Sequence, residues 1–158
     1  MLSFDVENNK FNYRTAGIVI HNNRVLFQQA VGEDYWFLPG GRVELFETAE
    51  SALQREMNEE YGVIIKESKL VWIVENFFEL DNKGFHEISL YFLVTLPEDS
   101  LLVTHEDEFV GAECGYINKW IPIKDLVEYN IRPDFLSSEL SMVESGSVNH
   151  IVHRDIKN

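Results

Sequence analysis

Glu56, Glu59 and Glu60 are spaced i, i+3 and i+4 inside Thr48–Tyr61, a run without glycine or proline whose composition favours a helix. On a wheel at about 100° per residue, Ala49, Leu53, Glu56 and Glu60 share one stripe about 60° wide, with Ala52 and Glu59 beside it. The inward face therefore begins apolar and turns to carboxylate over its last turns. Neighbours at these spacings have Cβ atoms roughly 5–6 Å apart, so the three charges repel one another. They also crowd the negative end of the helix macrodipole. Glutamates on an acidic helix ordinarily face solvent, yet these continue the apolar stripe instead of opposing it. A divalent cation accounts for the placement, because carboxylate oxygens are the hard ligands it prefers. Such an ion polarises phosphoryl oxygens, activates water and aligns nucleophile with leaving group. The flanking residues suit the same chemistry. Gly40-Gly41 lets a ligand approach the backbone with no Cβ in the way. Glu47 precedes the helix closely enough to fold toward the stripe. Arg55, four residues before Glu59, would orient that acid or neutralise part of the cluster; as an exposed ion pair it would contribute only about 0.3–0.5 kcal/mol.

The helix needs a scaffold. Thr48 is placed to be its N-cap, and Gly62 stands where a C′ glycine is expected. Upstream, Asn12–Ile20 and Arg24–Ala30 are strand-like and meet at His21-Asn22-Asn23, which predicts a hairpin. Trp36–Leu38 then runs into Pro39-Gly40-Gly41, a strong break. Downstream, Lys69–Phe78 and His86–Leu96 are β-rich and flank Asp81-Asn82-Lys83-Gly84, which predicts a second antiparallel pair. Glu98–Glu113 is acidic and irregular. Tyr116–Ile121 reads as a short strand, Ile123–Tyr129 and Pro133–Glu144 as helical stretches, and Val148–Ile156 as a closing strand. No internal repeat or linker divides the chain, so a single domain over residues 1–158 is expected. The class is α/β with a largely antiparallel component.

Gly41, Glu47, Arg55-Glu56, Met57, Glu59-Glu60, Gly62 and Val63 stand at the spacing G-x5-E-x7-R-E-U-x-E-E-x-G-U, with U aliphatic. This segment resembles the Nudix box, with every defined position filled. Trp36–Gly40 before it, and Trp120–Leu126 after it, also resemble the family, so the likeness spans about Phe11 to Leu136. The resemblance implies an α/β/α sandwich around a mixed sheet, with the box as a loop-helix-loop. It implies hydrolysis of a nucleoside diphosphate linked to another moiety, with Mg²⁺ or Mn²⁺ as cofactor. Carried over by position, Glu56, Glu59 and Glu60 are the expected metal ligands, Glu47 a lesser contributor, and the Gly40-Gly41 backbone the approach to metal or phosphate. Glu59 with Arg55 is the expected catalytic pair; Glu106, Asp107 and Glu108 are alternatives to Glu59 as general base. Asn76-Phe77-Phe78-Glu79 matches neither the ADP-sugar nor the dinucleoside polyphosphate pattern of the family, which leaves (deoxy)nucleoside triphosphates, oxidised ones included, as the favoured substrates.

Charge sets further bounds. With 27 Asp and Glu against 13 Lys and Arg, the formal charge is −14. That argues against a nucleic-acid polymer or an anionic membrane as the main partner, and for a small nucleotide accompanied by a cation. The lone Cys114 excludes an internal disulfide and a multi-cysteine zinc site. The first residues lack a secretory pattern, and no apolar run nears the ~20 residues of a spanning helix. A cytoplasmic monomer or homodimer is expected. Nucleophile-elbow, P-loop and dinucleotide fingerprints are absent. Arg14 is a candidate phosphate contact. Phe77 and Phe78 must face opposite sides of a strand; one belongs to the core and the other, assigned here as Phe77, stacks a base. His86-Glu87, opposite Glu75-Asn76, lines a substrate cleft or forms a satisfied edge pair. The alternative to a hydrolase is a nucleotide-sensing module that does not turn its ligand over.

Overall fold

The computed structural model describes residues 1–143 and 146–156. Its strands are β1 (Ser3–Val6), β2 (Asn9–His21), β3 (Arg24–Ala30), β4 (Gly40–Arg42), β5 (Glu67–Leu80), β6 (Lys83–Thr95), β7 (Tyr116–Pro122) and β8 (Asn149–Asp155). Helix α1 is Ala49–Tyr61 and the short α2 is Leu136–Glu139, with 3-10 turns at Leu101–Thr104, Ile123–Glu128 and Leu140–Met142. The strand order is β7-β3-β2-β6-β5-β8, with β1 and β4 also paired to β2. Among the described strand pairs only β2–β6 and β5–β8 are parallel, so the sheet is mixed and largely antiparallel.

Strand β2 organises the site. One of its edges pairs with β6 from Asn9 to Val19. The other takes β1 first, then β4 at Arg14–Ala16, and β3 only at Ile20 and His21. The expected hairpin is present, closed by Asn22 and Asn23 at φ +51° and +59°, where the asparagine side chain tolerates the left-handed region. Beyond the turn β3 leaves β2 and pairs with β7 instead. The sheet therefore opens, and the glycine strand β4 enters the gap. The second hairpin is closed in the same way by Asp81 and Asn82, at φ +51° and +61°.

Two apolar clusters fix the layers. Leu53 and Met57 of α1 pack with Leu26, Val43, Phe92 and Trp120 on one face. Leu126, Leu136 and Leu140 of the short helices pack with Phe27, Trp72 and Tyr91 on the other. The result is the expected α/β/α sandwich. Truncating a fully buried Leu53 or Leu136 to Ala would cost about 2–5 kcal/mol.

Several features depart from the pattern read along the chain, among them the break at Gly40-Gly41, which pairs with β2 as strand β4. Strand β1 was not expected, because it is only four residues long and mostly exposed, too short for the alternation of Phe4 and Val6 to stand out. The stretch from Pro133 holds only a four-residue α2 and a 3-10 turn, and its expected end at Glu144 lies outside the described residues. A bulge between Leu70 and Trp72 in β5 brings both Val71 and Trp72 into one apolar cluster, where strict alternation would split them between the two faces.

Candidate active site

Helix α1 is held at both ends by the predicted caps. Thr48 Oγ1 accepts the Ser51 N–H at 3.1 Å. Gly62, at φ +66°, donates its N–H to Asn58 O at 2.8 Å. The Ala112 N–H adds a donor to Glu60 O at 2.8 Å, so the loop before β7 closes on the last helical turn. The buried face comprises Ala49, Ala52, Leu53, Met57 and Glu60. Glu56 sits at its edge, largely covered, and the Glu59 side chain is about half exposed.

The three acids have different surroundings. Glu60 Oε2 accepts from Gln28 Nε2 at 3.1 Å, and the same nitrogen lies 2.9 Å from Tyr61 Oη, which donates to Asn118 Oδ1 at 2.6 Å. Burial, reinforced by the Glu56 charge, pushes the Glu60 carboxyl up to about 8. Burial also raises Glu56, against the pull of Arg55. Arg55 grips Glu47 through Nε at 2.9 Å and Nη2 at 3.0 Å, and reaches Glu56 Oε1 through Nη1 at 2.8 Å. This fork holds the Glu47 carboxyl below its ordinary range and raises the Arg55 guanidinium above its own. Glu59 is only a 3.7 Å ion-pair neighbour of Arg55. Arg55 therefore positions Glu47 and Glu56 more than Glu59.

The glycine loop leaves no room for side chains. Gly40 is at φ +151°, and a Cβ there would lie 2.1 Å from Thr15 O. A Cβ on Gly41 would lie 2.3 Å from Glu56 Oε1, so the carboxylate occupies the space the glycine leaves. Thr15, the partner of Gly41 on β2, has a buried Oγ1 without a hydrogen-bond partner among the described residues. Hard oxygen donors on one helix face, two carboxyls resisting ionisation and a glycine cradle fit a divalent cation. Among the described residues no three such groups already converge as a ligand set. Glu56 and Glu60 would exchange Arg55 and Gln28 for the ion.

Where β3 leaves β2, a cleft of about 930 Å³ opens. Arg14 and Arg42, β-partners of each other, stand on its wall. The Arg14 charge lowers the otherwise raised Glu60, Tyr91 and Tyr116 groups, so it acts on a buried acid of the carboxylate stripe as well as on the cleft. Tyr35, Phe37 and Phe78 supply aromatic surface. Phe77, the assigned base contact, faces the other side of the sheet, with its ring 4.5 Å from His86 and under Arg154. Phe78 is the member of the pair that lines the cleft, stacked on Phe85 at 4.9 Å. The register of β5 decides this, and the local sequence is equally apolar at both positions.

The loop acids divide similarly. Glu106 is exposed and paired with Arg24 at 3.4 Å, four residues along β3 from Gln28. Asp107 and Glu108 are exposed. Glu113, which the sequence reading passed over, is the loop acid whose charge adds to the upward shifts of both Glu56 and Glu60. Gln28 and Asn118 were missed as well, although two buried amides in apolar strands were a visible signal.

The NUDIX domain model matches residues 12–138. An 8-oxo-dGTP diphosphatase from Buchnera aphidicola is 28% identical over 125 residues, 77% of this chain and 85% of the relative. An RNA pyrophosphohydrolase from Haemophilus influenzae is 27% identical over 147 residues, 82% of this chain and 71% of the relative. Among solved structures, the MutT protein of Bacillus halodurans shares the fold at a TM-score of 0.61 and 18% identity, with 91% of this chain and 90% of that one covered. A MutT Nudix hydrolase from Burkholderia pseudomallei does so at 0.53 and 22%, covering 72% and 84%. With the box filled, the sandwich present and the family model spanning most of its length, the chain belongs to the Nudix hydrolase family, enzymes of phosphoanhydride bonds.

Proposed function

We propose that the protein is a Mg²⁺- or Mn²⁺-dependent pyrophosphohydrolase of nucleoside triphosphates, oxidised forms included. The observation that supports this reading best is Arg14 on the wall of an aromatic cleft, with its charge also acting on buried Glu60 of the carboxylate stripe. In this reading Glu56, Glu59 and Glu60 hold the ion, which when bound polarises the phosphoryl oxygens and activates water. Arg14 neutralises phosphate charge at the cleft wall, and Gly40-Gly41 lets the phosphates approach the backbone. Arg55 keeps Glu47 and Glu56 in place. Glu59, the most solvent-accessible of the three acids, takes the proton as water attacks phosphorus and the anhydride P–O bond breaks; Glu113 is the loop acid able to share that task. The net charge of −14 is then offset locally by the ion and by Arg14 and Arg42.

The test is a substrate panel with and without Mg²⁺ or Mn²⁺, read by released phosphate and pyrophosphate. It should contain the (deoxy)nucleoside triphosphates, 8-oxo-dGTP and a 5′-triphosphorylated oligoribonucleotide. Ion-dependent turnover of mononucleotides is expected. Binding without turnover would favour a sensing module, and turnover confined to the oligonucleotide would move the substrate to RNA 5′ ends.

A further inference from the structure

On the cleft face of the sheet, the pairings of β2, β6, β5 and β8 align Asn12, Glu87, Asn76 and His153 in a single row. The first three are buried polar residues on the cleft floor. Their contacts are ordered outward from Glu87. Asn12 Nδ2 donates to Glu87 Oε2 at 2.8 Å, and Ser3 Oγ donates to Asn12 Oδ1 at 2.7 Å, which fixes the amide. Across the row, His153 joins Asn76 Oδ1 at 2.8 Å to Asp134 Oδ1 at 2.7 Å. Among the described residues Glu87 has no ion-pair partner and one side-chain hydrogen bond. Its second oxygen is neither partnered nor sealed off, so it opens to the cleft. On the cleft floor that oxygen is an acceptor which N–H donors from a ligand would satisfy.

Few nucleobases supply them. Guanine presents two adjacent N–H donors, N1–H and N2–H, on its Watson–Crick edge, matching the two oxygens of a carboxylate. Adenine and cytosine place a ring-nitrogen lone pair beside their amino group, and that lone pair would face a carboxylate oxygen. Resting on the proposed hydrolase reading, we propose that Glu87 reads the Watson–Crick edge of a guanine-type base, a 2-amino-6-oxopurine, held in this cleft. Oxidation at C8 alters the other side of the purine, so Glu87 selects the guanine class and is indifferent to its oxidation. The spacing agrees. Asn12 lies three residues before Thr15, the partner of Gly41, or roughly 10 Å along β2 at strand rise, the scale of a nucleoside between base edge and phosphates. Phe78 and Phe85, two residues away on β5 and β6, line the same cleft and offer a ring face to the base.

Glu87→Gln keeps the size and the acceptor for Asn12 but replaces one oxygen by an N–H₂ donor. An amide matches adenine, accepting from N6–H and donating to N1. The experiment measures kcat/KM for dGTP, dITP and dATP, and calorimetric affinity for GMP, IMP and AMP, in both proteins. The wild type should rank guanine above hypoxanthine, which lacks the 2-amino donor, and hypoxanthine above adenine. In the variant the guanine-to-adenine ratio should fall by about 10–100-fold in both measurements, with melting temperature unchanged. Equal base affinities in the wild type, or a variant that weakens all bases alike while losing stability, would overturn the assignment and leave Glu87 a structural partner of Asn12. The monophosphate affinities need no turnover, so an inactive protein that still ranks GMP first would sink the hydrolase reading and keep this one.

Discussion

Two acidic regions of this molecule have similar composition and opposite character. Glu56, Glu59 and Glu60 lie on a capped helix, two of them largely buried, against Gln28, Arg55 and a glycine loop. Glu106, Asp107 and Glu108 lie on an exposed loop, where Glu106 pairs with Arg24 at 3.4 Å. Water screens the second group, and its repulsion is weak. In the first group Glu56 and Glu60 are largely shielded from water, and burial drives their carboxyls toward the neutral form. Anionic density alone therefore does not mark a site. What marks it is charge that the fold keeps out of water.

The sharpest way to break this contrast is to neutralise one acid in each region. Glu56→Gln removes a charged donor from the glycine cradle and should lower kcat by about 10³-fold or more at saturating Mg²⁺. Glu106→Gln should leave the rate within about twofold. Equal effects would abolish the distinction. A step smaller, Arg55→Lys keeps the charge but loses the fork on Glu47 and the bond to Glu56. Initial rates should fall roughly 10–100-fold, as for residues that orient metal ligands. A silent Arg55→Lys would show that these contacts are only structural.

The same contrast has a pH signature without metal. The Glu60 carboxyl titrates near 8 in the folded chain, against an ordinary value of 4.5 once unfolded. Between those values the native state holds a proton that the unfolded state has released, so stability falls as pH rises. In the presence of a chelator, the melting temperature should drop from pH 5.5 to pH 8.5. Saturating Mg²⁺ should oppose that drop, because the ion binds the ionised carboxylates of the folded state. A flat metal-free profile would contradict the buried assignment of Glu60. The smallest effect belongs to Glu50→Gln on the first turn of α1, where the acid accepts from Ser68 Oγ at 2.6 Å in solvent. The amide can accept the same bond, so rate and melting temperature should both be nearly unchanged.

What could be read along the chain was whatever depends on near neighbours. Thr48, Gly62 and the unbroken run between them define α1, and the Asn22-Asn23 and Asp81-Asn82 turns define the hairpins. The helical wheel already placed Glu60 inward and Glu59 at the margin. Partners that arrive through tertiary pairing were not legible. Gln28 of β3 meets Glu60 of α1 across 32 residues of sequence, and Glu113 nears the stripe because the loop returns to the Glu60 carbonyl. The choice between Phe77 and Phe78 depends on the register of β5, which its bulge and two neighbouring strands set. The row through Glu87 needs the parallel pairing of β2 with β6, for which no local residue type is diagnostic.

Glu60→Gln tests the central claim most directly, by measuring turnover with Mg²⁺ and metal-free melting temperature on the same preparation. Glu60 keeps a Gln28 contact through the amide, while the buried repulsion with Glu56 disappears. The predicted result is a movement in opposite directions: turnover falls by about 10³-fold or more, while the metal-free protein at pH 8 melts at the same temperature or higher. Activity unchanged, or stability and activity lost together as for a structural ion pair, would contradict a catalytic metal stripe on α1.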